Sequence, residues 1–304
     1  MARRYVIVDG RNLLWRSAEA HPGLTARLNG KRHVRTGGVY GFLVGLVAIS
    51  KRHPGQIIVA WEGVAGSKNF RKSLYPDYKA KPPDKEREKR TVHVNDQQAR
   101  VRRFLKIIGV PQYEGIECEA DDVMGTFTRK FGKSSHTIYT MDSDLRQLVD
   151  GRVVVVTPTP RGEYRYEKPE HVVKRHGVVP ELLPDYKALM GDTSDNIPGV
   201  KGVGEKTAAK LINQYGSIEN VIKKAKSKKK ADWPVAERFK KMIADCDSLL
   251  LYKRLTTIDC HATLKKIKPI QNEDKVRARL KKYRFKSLLA DHRFGELIDL
   301  GVRY

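Results

Sequence analysis

The hydrophobic pattern of the first half alternates short apolar runs with longer segments of helical spacing. The short runs, rich in Val, Ile and Tyr, are Tyr5–Asp9, Gln56–Trp61, Thr137–Met141 and Val153–Thr157. Helical spacing covers Val39–Lys51, Gln97–Ile108 and Ala120–Phe131. Continuous apolar strands separated by helices are typical of a mainly parallel sheet buried on both faces. The pattern therefore predicts an α/β fold.

Other regions depart from this alternation. Lys68–Arg90 is polar, basic and Pro-containing, and it is too long for an ordinary connection, so we predict a functional or disordered insertion. Beyond about residue 180 the spacing predicts helices, among them one from Glu205 to Tyr215 that stops at Gly216. Lys223–Lys230 is rich in lysine and is predicted to be a solvated loop or linker. We place domains at 1–180 and 181–304.

The net charge of the chain indicates the kind of partner that it binds. The 304 residues carry 60 Lys and Arg against 35 Asp and Glu, a formal net charge of +25. Because both halves share the excess, it indicates a general positive field, which concentrates polyanions and speeds their capture. Nucleic acid is the expected partner, and the alternative is that net charge serves solubility alone.

Three features that the sequence lacks bear on the compartment in which the protein is expected. No run approaches the roughly 20 apolar residues of a membrane helix, and no secretory segment precedes the first strand. Cys118, Cys246 and Cys260 are far apart, which supports neither a disulfide framework nor a zinc site. We expect a protein of a reducing, intracellular compartment without a membrane partner.

Acidic residues stand out against the basic background because they cluster where strands end and helices begin. In α/β sheets such positions can converge on one edge. Each group also has a structural interpretation, since acids cap helices and occupy turns. The clusters are Asp9, Glu62, Glu119–Asp121–Asp122, Asp142–Asp144 and Asp192–Asp195.

Hard divalent cations would relieve the repulsion within such a set. Mg²⁺ and Mn²⁺ prefer carboxylate oxygen, and paired ions about 4 Å apart catalyse phosphodiester hydrolysis. The combination of acids and a positive surface predicts phosphoryl chemistry on nucleic acid.

A glycine-rich turn, Ile197–Thr207, lacks the Gly-Lys-Ser/Thr order of a P-loop and the third glycine of a dinucleotide fingerprint. A hairpin between two helices fits better, with amides at the second helix able to bind a phosphate. A plain packing corner is the alternative. The residues expected to contact nucleic acid here are Gly199, Lys201, Gly202, Gly204, Lys206 and Thr207.

Together these motifs resemble the flap endonuclease/5′-nuclease family. The resemblance covers about residues 5–220. The motifs occur in this order: Val8-Asp9-Gly10-x-Asn12, Phe70-Arg71, Tyr78-Lys79-Ala80, Glu119-Ala120-Asp121-Asp122-Val123, Asp142-Ser143-Asp144-Leu145-x-Gln147-Leu148 and Gly191-Asp192-x-x-Asp195-Asn196-Ile197-Pro198-Gly199-Val200-x-Gly202-x-Gly204-x-Lys206-Thr207.

The resemblance implies a PIN-like nuclease core at 1–180 with a helical arch at about 68–95. It also implies a helix-3-turn-helix element at about 185–220. It implies cleavage of 5′ flaps and 5′ ends of branched or nicked DNA, and of RNA primers paired to DNA, without sequence specificity. Two or more Mg²⁺ or Mn²⁺ ions, K⁺ at the hairpin and a monomeric state in a bacterial or phage-infected cell are expected.

Residue roles are also implied by the resemblance. The first metal is assigned mainly Asp9, Glu62, Glu119, Asp121 and Asp122, and the second Asp142, Asp144, Asp192 and Asp195. Arg71 and Lys79 are expected at the scissile phosphate, Tyr78 on a displaced base, and Lys81 on nucleic acid. Glu62 stands where the family usually has Asp, which leaves direct or water-mediated metal contact open. A non-catalytic branched-DNA binder and a PIN-type ribonuclease are the alternative functions.

Overall fold

A computed structural model describes residues 3–28, 32–63, 69–159, 162–227 and 233–302. The chain forms two compact units. The first comprises Met1–Gly66, Pro83–Met141 and Cys260–Tyr304, and the second comprises Ser67–Pro82 and Asp142–Asp259. Within the described ranges, no helix is both long and apolar enough to span a bilayer.

The first unit contains a largely parallel sheet with helices packed against it. Its strands pair in the order Ser135–Tyr139 (β6), Arg4–Asp9 (β1), Gln56–Trp61 (β4), Gln112–Gly115 (β5) and Leu264–Ile267 (β9). The pairs are parallel except for the antiparallel β5–β9 pair. A separate antiparallel hairpin is formed by Thr25–Leu28 (β2) and Arg32–Arg35 (β3). The elements are β1 Arg4–Asp9, α1 Gly10–Ala20, β2 Thr25–Leu28, β3 Arg32–Arg35, α2 Gly37–Arg52, β4 Gln56–Trp61, α4 Lys85–Ile108, β5 Gln112–Gly115, α5 Ala120–Lys130, β6 Ser135–Tyr139, β9 Leu264–Ile267, α12 Glu273–Lys282, a 3₁₀ turn Lys286–Leu288 and α13 Asp291–Val302.

The second unit is mostly helical. Its two strands, β7 and β8, pair antiparallel. Its elements are α3 Phe70–Leu74, a 3₁₀ turn Asp144–Leu148, β7 Val153–Pro158, β8 Tyr164–Glu167, α6 Pro169–His176, a 3₁₀ turn Pro180–Leu182, α7 Leu183–Met190, α8 Glu205–Tyr215, α9 Ile218–Lys226, α10 Glu237–Ala244 and α11 Leu249–Thr256.

Burial on both faces explains why the central strands are continuously apolar. Val6, Ile7 and Val8 of β1 are at most 1% exposed. The rings of Trp61 and Phe42 stack at 5.9 Å between centroids. The indole N–H of Trp61 donates to Gln112 Oε1 at 2.9 Å, so this buried aromatic leaves no polar group unsatisfied. The predicted α/β class is confirmed.

Several local predictions are corrected. Helical spacing predicts a helix from Gln97, but α4 starts at Lys85, where the Asp84 carboxylate accepts hydrogen bonds from the N–H groups of Glu86 and Arg87. The helical prediction beyond residue 180 misses β9, a short edge strand of mixed polarity. The predicted loop at Lys223–Lys230 is helical up to Lys226, and residues 228–230 lie outside the described residues.

Candidate active site

Acidic side chains line the carboxyl edge of the sheet in the first unit. Asp9 ends β1 and pairs in register with Ala60 of the neighbouring β4, two residues before Glu62. A Cβ on Gly63 would lie 2.2 Å from the carbonyl oxygen of Gly115 at the end of β5. This close approach places the segment after β4 against the loop that leads to Glu119 and α5.

Asp9 also has a structural task. Its Oδ1 accepts from the N–H of Asn12 at 3.0 Å and so caps α1. Its Oδ2 accepts from the hydroxyl of Thr140 at 2.9 Å, and only 7% of Asp9 is exposed. The two bonds fix the carboxylate at the strand end, so the capping role and a functional role are compatible.

The acids of α5 divide by burial. Asp122 is fully buried and its Oδ2 accepts from the N–H of Glu119 at 2.9 Å. It therefore closes the first turn of the helix. Glu119 and Asp121 are half-buried, which leaves them better placed than Asp122 to meet a ligand.

A cleft of about 640 Å³ adjoins Glu62 within the first unit. Arg11 donates from Nη1 to Asn95 Oδ1 at 2.9 Å and to Gln98 Oε1 at 3.1 Å. Arg102 donates to Glu114 at 2.5 Å. The two guanidinium groups are thus held in place on the cleft wall. This wall was not predicted from the sequence, although the spacing of residues 95, 98 and 102 matches one helix face.

The second unit brings four predicted acids together around two lysines. Lys187 donates to Asp144 and, at 2.8 Å, to Asp192 Oδ2. The N–H of Asp144 donates to Asp142 Oδ1 at 2.8 Å. Lys79 lies 3.8 Å from Asp195 Oδ1. Lys187 was not among the predicted residues, and its only signal in the sequence is that it is the one basic residue of a mostly apolar helix.

Crowding and burial shift the pKa values of this cluster. Burial, and then the charge of Asp144, raises the pKa of Asp142. Burial raises the pKa of Asp195 to about 6, with Asp144 and Asp192 adding to the effect of burial and Lys79 and Tyr78 opposing it. Asp142 and Asp195, whose ionised forms are disfavoured, are therefore stabilised by added positive charge.

Lys187 supplies part of that charge. Burial would lower its pKa, but the charges of Asp144 and Asp192 outweigh burial and raise it. In return Lys187 outweighs the burial of Asp192 and holds the pKa of that carboxyl below its ordinary value. The ammonium group is the cation that these two acids share.

The donor chemistry of both acidic sets fits hard divalent ions, because every predicted ligand is a carboxylate oxygen. Across the residues that the structure describes, no group of three or more His, Cys, Asp or Glu side chains is arranged to hold a metal ion. Residues Asp142, Asp144, Asp192 and Asp195 would hold such an ion in the second unit if Lys187 yielded its place.

Residues assigned to the substrate are placed differently from expectation. Tyr78 is only 2% exposed and donates to Asp195 Oδ2 at 3.0 Å, and its stacking on a displaced base stays a prediction. Arg71 is 2% exposed and donates to the carbonyl oxygens of Leu255 and Thr257 at 2.9 and 2.8 Å. It holds the end of α11, and its contact with phosphate stays a prediction. Lys79 is half-buried and Lys81 exposed.

The glycine-rich turn forms a tight hairpin between α7 and α8. Asp192 and Ile197 exchange two backbone hydrogen bonds of 2.8 Å. A Cβ on Gly199 would lie 2.3 Å from the N of Gly191, so this crossing requires glycine. Lys201 and Lys206 are exposed beside the start of α8, as are Gly202 and Gly204, while Thr207 is half-buried. The predicted helix Glu205–Tyr215 and its left-handed stop at Gly216 are confirmed.

Similar solved structures support the same fold. The T5 5′-exonuclease, solved with divalent zinc ions bound, superposes with a TM-score of 0.66 at 20% identity, covering 99% of each chain. Flap endonuclease-1 from Methanococcus jannaschii superposes with a TM-score of 0.61 at 16% identity, covering 98% of this chain and 92% of that protein. At these identities the comparison shows a common architecture.

Sequence relatives show the family. A 5′-3′ exonuclease of Aquifex aeolicus is 34% identical over 291 residues, 94% of this chain and 93% of that protein. DNA polymerase I of Bacillus subtilis is 34% identical over 268 residues, covering 84% of this chain and 28% of the polymerase. The N-terminal resolvase-like domain of 5′-3′ exonucleases matches residues 4–178, and their C-terminal SAM fold matches residues 178–281. The chain therefore belongs to the 5′-3′ exonuclease family.

Proposed function

We propose that this chain is a divalent-metal-dependent 5′-nuclease that cleaves flaps and 5′ ends of branched or nicked DNA. The observation that carries the proposal is the gathering of Asp142, Asp144, Asp192 and Asp195 around Lys187 and Lys79, in a member of the 5′-3′ exonuclease family. An acidic cluster in which the pKa values of Asp142 and Asp195 are raised, in a chain of net charge +25, suits a metal-assisted reaction on a polyanion.

The proposed roles follow the position of each residue. In the first unit Glu62, Glu119 and Asp121 would bind a metal ion, while Asp9 and Asp122 fix the strand end and the start of α5. In the second unit Asp142, Asp144, Asp192 and Asp195 would bind another. When bound, divalent ions supply activation of water and stabilisation of the leaving oxygen. Lys79, held near Asp195, would place its ammonium on the scissile phosphate.

Finer features are part of the proposal. We infer Mg²⁺ or Mn²⁺ as the ions, because carboxylates alone are offered. The exposed Lys201 and Lys206 at the start of α8 suit a backbone phosphate of duplex DNA, gripped without reading its sequence. We also infer K⁺ at this hairpin, RNA–DNA hybrids as further substrates, a monomer, and action inside the cell.

One observation favours a second function, a branched-DNA binder without catalysis. Lys187 already gives Asp144 and Asp192 a shared cation, which is what a scaffold that needs no metal would have.

The deciding experiment is a cleavage assay on a 5′-labelled flap duplex and on single-stranded RNA, with Mg²⁺, Mn²⁺ or EDTA. We expect metal-dependent cutting of the flap only. Asp142→Asn should abolish cutting and largely retain flap binding. Asp247→Asn removes the same charge from a side chain that is 94% exposed and should behave as wild type. Flap binding without metal-dependent cutting would establish the binder, and cutting of the RNA alone would establish a ribonuclease.

A further inference from the structure

A second cavity, of about 340 Å³, lies in the first unit between α1, the end of β3, the start of α2 and α4. Residues 90, 93, 94 and 97 of α4 line it, whereas residues 95, 98, 99 and 102 line the cleft beside Glu62. Residues three and four apart share a helix face, so the two cavities lie on different faces of α4. Nothing in the proposed chemistry uses the second one.

The interior of this cavity suits a flat aromatic ring. The half-buried indole of Trp15 forms a wall together with Ala18, Pro22 and Val94. Cavities that bind small molecules measure about 300–1,000 Å³ and combine apolar walls with a few polar groups. This one is at the small end of that range, which favours a single base over any paired structure.

The lining of the cavity carries a net positive charge, from Arg35 and Arg90 against the carboxylate of Glu19, and Arg90 Nε donates to the carbonyl oxygen of Glu86 at 3.4 Å. Both arginines are exposed. Neither forms an ion pair with a carboxylate of the described residues, in contrast to Arg100 of the same helix, which pairs with Asp96 at 2.8 Å. Guanidinium groups next to an aromatic wall are the combination that single-stranded nucleic acid recruits, phosphate to the cation and base to the ring.

The walls are fixed before any ligand arrives. Gln97 is only 2% exposed, and its Oε1 accepts from the N–H groups of Gly38 and Val39 at 2.7 and 3.3 Å. A Cβ on Gly37 would lie 1.9 Å from the carbonyl oxygen of His21, so α2 starts in direct contact with the segment after α1. A cavity with rigid walls loses little entropy when it is filled.

We propose that this cavity binds one unpaired nucleotide of the single-stranded arm of the substrate. The base stacks on Trp15 and its phosphate lies on Arg35 and Arg90. The proposal rests on the proposed function, since the arm belongs to a branched DNA. A free mononucleotide has the same chemistry, so the experiment separates the two sources.

The test measures binding in EDTA, where cleavage cannot interfere, to flap duplexes with a single abasic nucleotide moved along the unpaired arm. Stacking of one base on an aromatic side chain contributes about 1–3 kcal/mol, or roughly 5- to 150-fold in affinity. We expect the wild type to lose affinity within this range at one arm position only. Trp15→Ala should bind the intact arm as weakly as the wild type binds that abasic arm, and should not sense the abasic site.

Matched variants guard against a folding defect. Trp15→Phe should keep most of the position-dependent loss. Arg90→Gln should weaken arm binding more than Arg103→Gln, which removes an equal charge from an exposed residue of the same helix that lines neither cavity. Equal effects of these two arginine substitutions would overturn the phosphate assignment.

The remaining outcomes refute the proposal cleanly. If abasic sites cost the same at every arm position, or cost the same in the wild type and in Trp15→Ala, the cavity binds no arm nucleotide. If deoxyadenosine monophosphate quenches Trp15 fluorescence while the arm shows no preferred position, free nucleotide is the ligand and the arm is excluded. Metal-dependent flap cutting is scored separately with the wild type, so its absence would refute the nuclease without deciding the fate of the cavity.

Discussion

Replacing Lys187 with methionine tests whether the acids of the second unit bind a metal ion. The ammonium group donates to Asp144 and to Asp192. The Lys187 side chain is 11% exposed, and those of Asp144 and Asp192 are 18% and 13% exposed. Methionine keeps an unbranched side chain of similar bulk and removes the charge, so the two carboxylates are left close together without their cation.

The magnitude follows from this burial. Removing one partner of a buried ion pair costs about 3–5 kcal/mol, a large part of a typical unfolding free energy of about 5–15 kcal/mol. The pH is chosen from the signs of the pKa shifts. Because folding lowers the pKa of Asp192, this carboxylate stabilises the folded chain at pH values above its unfolded pKa. Because folding raises the pKa of Lys187, the lysine fully stabilises the folded chain at pH values below its ordinary pKa. At pH 8 both groups stabilise the folded chain fully.

The assay is urea unfolding at pH 8 in EDTA and in excess Mg²⁺. In EDTA we expect Lys187→Met to lose about 3–5 kcal/mol. A metal ion at 100 times its Kd restores about 2.7 kcal/mol, and it should restore more in the variant than in the wild type, where the ion competes with Lys187.

Lys253→Met is the matched control. Lys253 also bridges two carboxylates, Asp185 at 2.8 Å and Glu219 at 2.9 Å, and neither is a predicted metal ligand. Its loss of stability should be the same in EDTA and in Mg²⁺. Equal recovery of the two variants would refute the reasoning, because Asp144 and Asp192 would then hold no ion together.

Other predictions concern the surroundings of this cluster. Burial raises the pKa of Asp195 to about 6, so the stability tied to its protonated form is present below its unfolded pKa and is lost as the pH rises through about 6. Asp195→Asn should therefore raise the free energy of unfolding in EDTA at pH 8 by up to about 3 kcal/mol, and should not raise it at pH 4. An equal effect at both pH values would contradict the raised pKa of Asp195. Tyr78→Phe removes the hydroxyl that donates to Asp195 and should cost about 1–3 kcal/mol in urea unfolding, whereas no loss would show that the hydroxyl is dispensable. Arg71→Met leaves two backbone carbonyls without their donor and should lower stability without DNA by about 2–4 kcal/mol; full stability with slow cleavage would instead restore its predicted role at the phosphate. Lys79→Ala should slow single-turnover cleavage more than it weakens flap binding, and an unchanged rate would remove Lys79 from the chemistry.

Local patterns were sufficient for the central strands and for many of the helices. β1 and β4 are continuously apolar because both of their faces are covered, and α8 has a glycine in the left-handed conformation directly after its last turn. The start of α4 was not predicted, because the first turns of this helix are stabilised by the Asp84 cap and by charged pairs rather than by an apolar stripe. β9 was not predicted, because an edge strand buries few apolar side chains and pairs with residues that are distant in sequence.

Residue roles were harder to predict than residue positions. The motif that contains Tyr78 does not predict the burial of its ring. Only the folded chain shows that the Tyr78 hydroxyl donates a hydrogen bond to Asp195. Asp122 and Asp9 serve as caps, which the sequence had left as an alternative. Lys187 carried no motif at all, since its importance arises from two acids that approach it in space.

The α/β class, the family and the set of available acidic side chains could be predicted from the sequence, because periodicity and motif spacing are properties of the chain. The folded chain was needed to show which of those acids act as caps, which lysine neutralises them, and that α4 has a cavity on each of two faces. The physical reason is that burial, charge pairing and pKa depend on distances between residues remote in sequence. Those distances exist only after the chain has folded.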